Sequence, residues 1–269
     1  MTYPVAKLGD VARFIRGITF KPVDVVPVGT DDAIVCMRTK NVQSLLDCDD
    51  LLAVPERFVR RQDQFLEEGD VLVSSANSWN LVGKCCWVPS LPWRAAFGGF
   101  ISVLRADPRK IEKRYLYWWF ACDHTQALLR SFGQKTTNIS NLNIERCLQL
   151  ELPLPPLPEQ RRIAAILDKV DALRTKRREA LAQLDRLAQA IFVEMFGDPV
   201  SNPRGWRTLR LGEIFNIARG GSPRPIQDFI TDSDDGVNWV MIGDTEQGGK
   251  YIYSTKKKQF RIPKKQIKR

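Results

Sequence analysis

Residues 152 to 199 read LPLPPLPEQRRIAAILDKVDALRTKRREALAQLDRLAQAIFVEMFGDP, a proline-rich strap that runs into an unbroken helical pattern. Pro153, Pro155, Pro156 and Pro158 favour extended backbone in the residue before each ring. Pro158 also suits the first turn of a helix, where its missing N–H costs nothing. Glu159 then sets a negative charge at the positive end of the helix dipole. No Pro or Gly intervenes before Gly197, and Asp198-Pro199 follows it as a stop signal. The helix so defined has roughly 39 residues, or about 58 Å at 1.5 Å per residue. Ile163, Val170, Leu184 and Ile191 occupy one seam position; Ile166, Leu173, Ala180 and Leu187 occupy the other, with Arg177 and Glu194 as exceptions. An apolar seam kept over about five heptads is a coiled-coil pattern. A long surface helix packed on its own domain is the competing reading, but one small domain cannot cover such a length. The pattern therefore predicts a partner helix.

Composition bounds what surrounds this rod. At 269 residues and 43% hydrophobic content the chain can hold one full domain and something smaller. No run of eighteen apolar residues exists, and MTYPVAKLGDVARF lacks an apolar signal core, so the expectation is a cytoplasmic protein without membrane contact. Cys36, Cys48, Cys85, Cys86, Cys122 and Cys147 form no CxxC pair, and His124 is the single histidine, which favours buried reduced thiols over zinc or disulfides. The net charge of +10 is mostly local, because TKKKQFRIPKKQIKR at 255–269 holds eight Lys/Arg and no acid; without it 33 basic residues face 31 acidic ones. Whole-chain basicity is thus weak support for nucleic-acid binding.

A repeat organises the rest. KLGDVARFIRGITFKP at 7–22 recurs as RLGEIFNIARGGSPRP at 210–225, matching Leu8, Gly9, Arg16, Gly17 and Pro22 with Leu211, Gly212, Arg219, Gly220 and Pro225. A second echo, with one residue of slippage, sets Ala33 against Val237 and Met37 against Met241. The organisation expected is a domain at 1–152, the strap and helix at 153–199, the start of the same domain at 200–254, and a disordered basic tail at 255–269. About 55 residues cannot bury a core of their own, so the second copy reads as truncated or frameshifted.

Within the first copy, strands are expected at Ala33–Met37, Leu51–Val54 and Val71–Ser75, and over GKCCWV and GFISVLR, with a helix or strand at Leu8–Phe14. A helix is expected from Asp107-Pro108 to about Ser131. Its Tyr115, Leu116, Trp118, Trp119 and Phe120 read as core rather than base-stacking groups, because they share one strongly amphipathic face. Ser140 is the expected cap of a short helix at 141–146, and 148–152 an expected strand. The fold class is α+β: one α/β domain, a long coiled-coil helix, and an incomplete second copy. Three polar loops could read base edges: Asn77, Ser78 and Trp79 with Lys84 beyond them, Arg94, and Lys135, Thr136, Thr137 and Asn138. Each is equally a candidate solvated turn.

The strap with Pro158, Glu159, Gln160, Arg161 and Ile163, the GQKTTNIS stretch, the LGD...RG opening and the FGDP that precedes its repeat together resemble the specificity subunit of type I restriction-modification enzymes. The resemblance implies a target recognition domain that reads one half of a bipartite sequence in double-stranded DNA. It implies a helix that sets half-site spacing and docks modification (methyltransferase) subunits, with Glu159, Gln160, Arg161, Ile163, Ile166, Val170, Leu173, Leu184, Leu187 and Ile191 as the candidates for partner binding and helix pairing. About 58 Å corresponds to roughly one and a half turns of B-DNA. The family pairs two such helices within one molecule; with one helix here, the expected pairing is a homodimer that reads a symmetric site. Catalysis belongs to partners: S-adenosylmethionine on the modification subunit, ATP and Mg on the restriction subunit, and no cofactor or metal in this chain. No methylase Asn-Pro-Pro-Tyr-type motif or phosphate loop is present to make it an enzyme alone. The alternatives are a recognition subunit for a methyltransferase only, or a truncated non-functional fragment.

Overall fold

The computed structural model describes residues 3–132, 134–135, 140–217, 220–221, 225–245 and 251–259. The chain divides into two compact units, residues 1–187 and 188–269.

In the first unit, β1 (Val5–Lys7), α1 (Leu8–Val11) and β2 (Ala12–Arg16) are followed by β3 (Ala33–Met37), β4 (Ala53–Pro55), β5 (Val71–Ser74), β6 (Ala76–Asn77), β7 (Cys85–Trp87), β8 (Ala95–Phe97) and β9 (Ile101–Ala106). Then come α2 (Lys113–Ala121), α3 (Asp123–Ser131), β10 (Gln134–Lys135), β11 (Ser140–Asn141), α4 (Ile144–Leu148), β12 (Glu151–Pro153) and α5 (Leu157–Phe196). An antiparallel sheet in the order β2-β9-β5-β7 stacks on a mixed sheet in the order β4-β3-β8. Ile15, Leu72, Cys86, Ile101 and Val103 meet Val35, Met37, Ala95 and Phe97 between the sheets. On the other face of the larger sheet, Val71, Val73 and Leu104 pack against Leu8, Tyr115, Leu116, Phe120 and Leu129 from the helices. Both faces are covered, which is why Val71–Val73 reads as a continuous apolar run rather than an alternating one. At the sheet corner Gly17 lies so close to the mixed sheet that a Cβ there would sit 2.3 Å from Gly98 O.

Several local expectations need correction. The helix expected from Asp107 is two helices. Asp107 instead turns the chain, its carbonyl accepting from the N–H of Lys110 and Ile111, and Glu112 caps α2 by accepting from Tyr115 N at 2.6 Å. Cys122 adopts extended backbone and separates α2 from α3. Ser140 caps nothing, because it lies in β11; Asn143 caps α4, accepting from Arg146 N at 3.0 Å. The stretch containing Arg94 is not all loop: Ala95, Ala96 and Phe97 form the buried β8, whose small residues fit where cores press on both sides. Cys36, Cys86 and Cys147 are buried, and burial pushes each thiol up to about 12, while Cys48 and Cys122 are exposed.

In the second unit, α6 (Leu211–Ile214), β13 (Ile230–Thr231), β14 (Val237–Trp239) and β15 (Lys257–Gln259) follow the end of α5, and β15 lies between β13 and β14. The disorder expected from residue 255 onward therefore does not extend to 257–259, whose backbone completes a three-stranded sheet whatever its charge. Residues 260–269 lie outside the described residues. The repeat also needs no slippage. The turn Thr39–Asn41 is closed by Arg38 N donating to Asn41 Oδ1, and Ile242–Asp244 by Met241 N donating to Asp244 Oδ2, both at 2.8 Å. Arg38 therefore aligns in sequence with Met241 at the same offset as Leu8 with Leu211, and Asp31-Asp32 aligns with Asp234-Asp235.

Candidate nucleic-acid interface

Three short strands bring two of the predicted loops together. β6 pairs with β11, setting Asn77 opposite Ser140 and Ala76 opposite Asn141, and β11 pairs with β10, setting Ser140 opposite Lys135. The ribbon is pinned to the sheet below by Leu142 N donating to Ser75 O and by Ser75 N and Ala76 N both donating to Phe100 O. Asn77 is partly spent locally: its Nδ2 donates to Ser74 Oγ at 3.0 Å and its Oδ1 accepts from Ser78 N at 2.8 Å. Ser78 Oγ in turn donates to Asn80 Oδ1, and the Trp79 ring is half exposed. Lys84 closes the same turn, its carbonyl accepting from Ser74 N, and its Nζ donates to Gln43 Oε1 at 2.6 Å. The Lys135 side chain and Thr136, Thr137 and Asn138 lie outside the described residues.

Arg94 does not join this ribbon. Its guanidinium pairs with Glu56 at 3.0 Å and stacks 4.2 Å from the centre of the Phe65 ring, so its charge is already answered. Sequence reasoning passed over Phe100, whose ring is 63% exposed beside the ribbon at the tip of the Gly98–Ile101 turn. The available signal was Gly98-Gly99-Phe100 between two apolar strands, a turn pattern that ends on a large aromatic.

The long helix forms as its sequence predicts, with Pro158 in the first turn and Gly197 in the left-handed conformation (φ 80°) just past its end. Its first turns are locked to the domain. Gln160 is 1% exposed; its Oε1 accepts from Glu112 N at 2.8 Å and its Nε2 donates to Pro155 O at 2.7 Å. Two turns on, Asp168 Oδ1 accepts from Arg114 Nε at 2.6 Å and Trp118 Nε1 at 2.8 Å. The Arg114 guanidinium itself lies over the rings of Trp87, Tyr117 and Trp118. Gln160, expected at a partner surface, faces its own domain instead, because it satisfies an orphan amide of α2 and a strap carbonyl. Ile163 is likewise half buried against the domain core. Glu159 is tied to Arg162 and to Tyr3 Oη, and the Arg162 guanidinium beside it holds its carboxyl below the usual range. Arg161, Ile166, Val170, Leu173, Leu184, Leu187 and Ile191 are exposed, Leu173 by 66% and Leu184 by 60%. From Ile166 to Leu187 the seam is therefore open, on the side of the helix turned away from the domain.

Among the described residues no cluster of His, Cys, Asp and Glu could hold a metal ion, and no helix is long and apolar enough to cross a membrane.

A mixed two-sheet domain with a polar ribbon at one edge and a long helix locked to its base defines a recognition module on a rod. Residues 2–184 match the type I restriction modification DNA specificity domain, and the chain belongs to that family. It is 30% identical over 196 residues to the type I restriction enzyme EcoKI specificity subunit of Escherichia coli strain K12, covering 70% of this chain and 41% of that one. With the StySPI specificity subunit of Salmonella potsdam it shares 25% identity over 224 residues, 79% of this chain and 48% of the relative. The chain thus spans about half the length of the curated relatives it matches. Among solved structures, a chain from a study of type I R-M complex assembly and conformational transition superposes with a TM-score of 0.50 at 25% identity, over 70% of this chain and 44% of that one. The S subunit from M. genitalium has the same TM-score at 16% identity over 90% of this chain and 60% of that one, a likeness of fold.

Proposed function

We propose that this chain is a non-catalytic DNA-reading subunit of a type I restriction-modification complex. The observation that carries the reading is the pairing of β6 with β11, which brings Asn77, with Ser78 and Trp79 directly after it, beside Ser140 and Asn141, and through β10 beside the backbone of 134–135. Asn, Ser and Lys side chains on such an edge can meet base edges and phosphates, and Lys135, Thr136, Thr137 and Asn138 belong to the same stretch. The role of α5 is that of a spacer. An apolar seam of this length, left open by its own domain, takes a second helix, and a second copy of the chain can supply it. Two copies then read a symmetric, bipartite site, and the exposed flank of the rod docks modification subunits. Methyl transfer from S-adenosylmethionine, and ATP- and Mg-dependent cleavage by a restriction subunit, reside on those partners.

Methylome sequencing of the host with and without this gene tests the reading. The expected result is loss of one adenine-methylated motif made of two separated halves that mirror each other. An unchanged methylome overturns the assignment, and a lost motif with unrelated halves overturns the symmetric pairing.

A further inference from the structure

An open groove of about 770 Å³ runs between the domain and α5. Lys84 and Gln43 form one side, Tyr117 and Trp118 lie along it, and Asp171, Thr175 and Arg178 of α5 form the other side. Asp171 and Thr175 are half buried while the residues around them on α5 are exposed, so this face of the helix follows the domain past the Asp168 anchor.

Two cations enter the groove from opposite walls, and each is held by a neutral partner. Lys84 Nζ donates to Gln43 Oε1, and Arg178 Nη2 donates to Thr175 Oγ1 at 3.2 Å. Several other basic groups of this unit are tied to carboxylates, Arg94 to Glu56, Arg105 to Asp70, Arg114 to Asp168 and Arg162 to Glu159, while Lys113 Nζ donates to the Glu68 carbonyl. An amide or hydroxyl tether fixes the direction of a cation without cancelling its charge, so the groove keeps two positive groups against the single carboxylate of Asp171. It is also continuous with the polar ribbon, since the Lys84 carbonyl is bonded to Ser74 N and Ser74 Oγ to Asn77 Nδ2.

We propose that this groove binds the sugar-phosphate backbone of duplex DNA, with Lys84 and Arg178 each neutralising a phosphate. The spacer helix is then itself part of the DNA-binding surface. This inference rests on the DNA-reading assignment and adds a sequence-independent site to it. Phosphate contacts of this kind set register on the duplex and make affinity fall with salt.

The test is fluorescence-anisotropy titration of the purified chain against a labelled duplex of mixed sequence, across a salt series. Each of Lys84→Ala and Arg178→Ala should flatten the slope of log K against log salt by about 0.9, and the double variant by about 1.8. Arg178→Lys should keep the wild-type slope. Lys169→Ala, on the far side of the helix from Arg178, should also keep it. Two results overturn the site. One is wild-type slopes in both single variants, including the case in which they lose the modification subunit instead, which would make the groove a protein dock. The other is an equal flattening by Lys169→Ala, which would mean diffuse attraction. Failure of the wild-type chain to bind the duplex at all would sink the DNA-reading assignment together with this site, and is seen before any variant is compared.

Discussion

Gln160 shows how one side chain joins three parts of the chain. It sits where the strap ends and α5 begins, and its side-chain amide reaches both the backbone amide of Glu112, the cap residue of α2, and the Pro155 carbonyl. The Gln160→Ala substitution leaves that buried N–H and that carbonyl without partners, at a cost of about 1–3 kcal/mol for each unsatisfied group. Urea unfolding of the chain should show a loss of about 2–6 kcal/mol for the two groups together, with the seam residues as solvent-exposed as before. The Gln160→Glu variant separates the two bonds: the Glu112 amide keeps its acceptor, while the Pro155 carbonyl loses its donor and a charge enters a buried site. It should be the more destabilising at neutral pH and recover as the pH falls and the carboxyl takes up a proton. Equal stability of all three proteins across pH would mean that Gln160 does not anchor the helix. The sequence marks Gln160 as part of a motif but cannot assign its role, because Glu112 is 48 residues away and only the tertiary fold brings it near.

The elements that sequence reads best are those fixed by local chemistry. The extent of α5 follows from Pro158 and Gly197, and β3 falls on Ala33–Met37 as its apolar run predicts. The break at Cys122 and the strand at Ala95–Phe97 escape a local reading, since the first depends on how α2 and α3 pack and the second on cores pressing from both faces. The periodicity of α5 carries two messages at once. Gln160, Ala164, Asp168 and Thr175 line the face toward the domain, whereas Ile166, Val170 and Leu173 line the open seam. Only the seam is apolar enough to stand out in the sequence. If a second helix covers the seam, Leu173→Lys and Leu184→Lys remove a buried leucine from each of two chains. At about 1.5–3 kcal/mol per leucine, counted twice in a symmetric pair, association weakens on the order of 100-fold or more. The single chain should change in stability by no more than about 0.5 kcal/mol, as for other exposed positions. Sedimentation or light scattering across a dilution series distinguishes the two effects. Wild-type and Leu173→Lys chains that are monomeric at every concentration would leave the seam without the second copy assigned to it.

Across the whole molecule, the repeat sets the same sequence pattern in two different surroundings. Leu8 and Val11 are 0% and 2% exposed in the first unit, covered by α2, α4 and the chain leading into β12. Their counterparts Leu211 and Ile214 are 65% and 55% exposed, and Phe215 and Ile217 beside them are also exposed. Both copies form the same short helix, and the same closed turn follows β3 at Thr39–Asn41 and β14 at Ile242–Asp244. Local sequence is therefore sufficient for these turns, and burial is what differs between them. Local opening costs least where few apolar contacts are buried, so the two copies should separate by hydrogen exchange although their motifs match. In this chain, amides of Leu8–Arg16 should exchange only on global unfolding, protected by the β2–β9 ladder and the helices above it. Amides of 211–217 should exchange orders of magnitude faster, and those of β13, β14 and β15 should fall between, because a three-stranded sheet pairs its backbone even where its side chains are exposed. Peptide-resolved exchange mass spectrometry reads both copies in one sample. If the 211–217 peptide is as protected as 8–16, the apolar groups of the second unit are covered in solution, and the contrast in burial is not a property of the free chain. If it exchanges freely and becomes protected only when the modification subunit or a second copy is added, then that partner supplies the cover that α2 and α4 give the first copy.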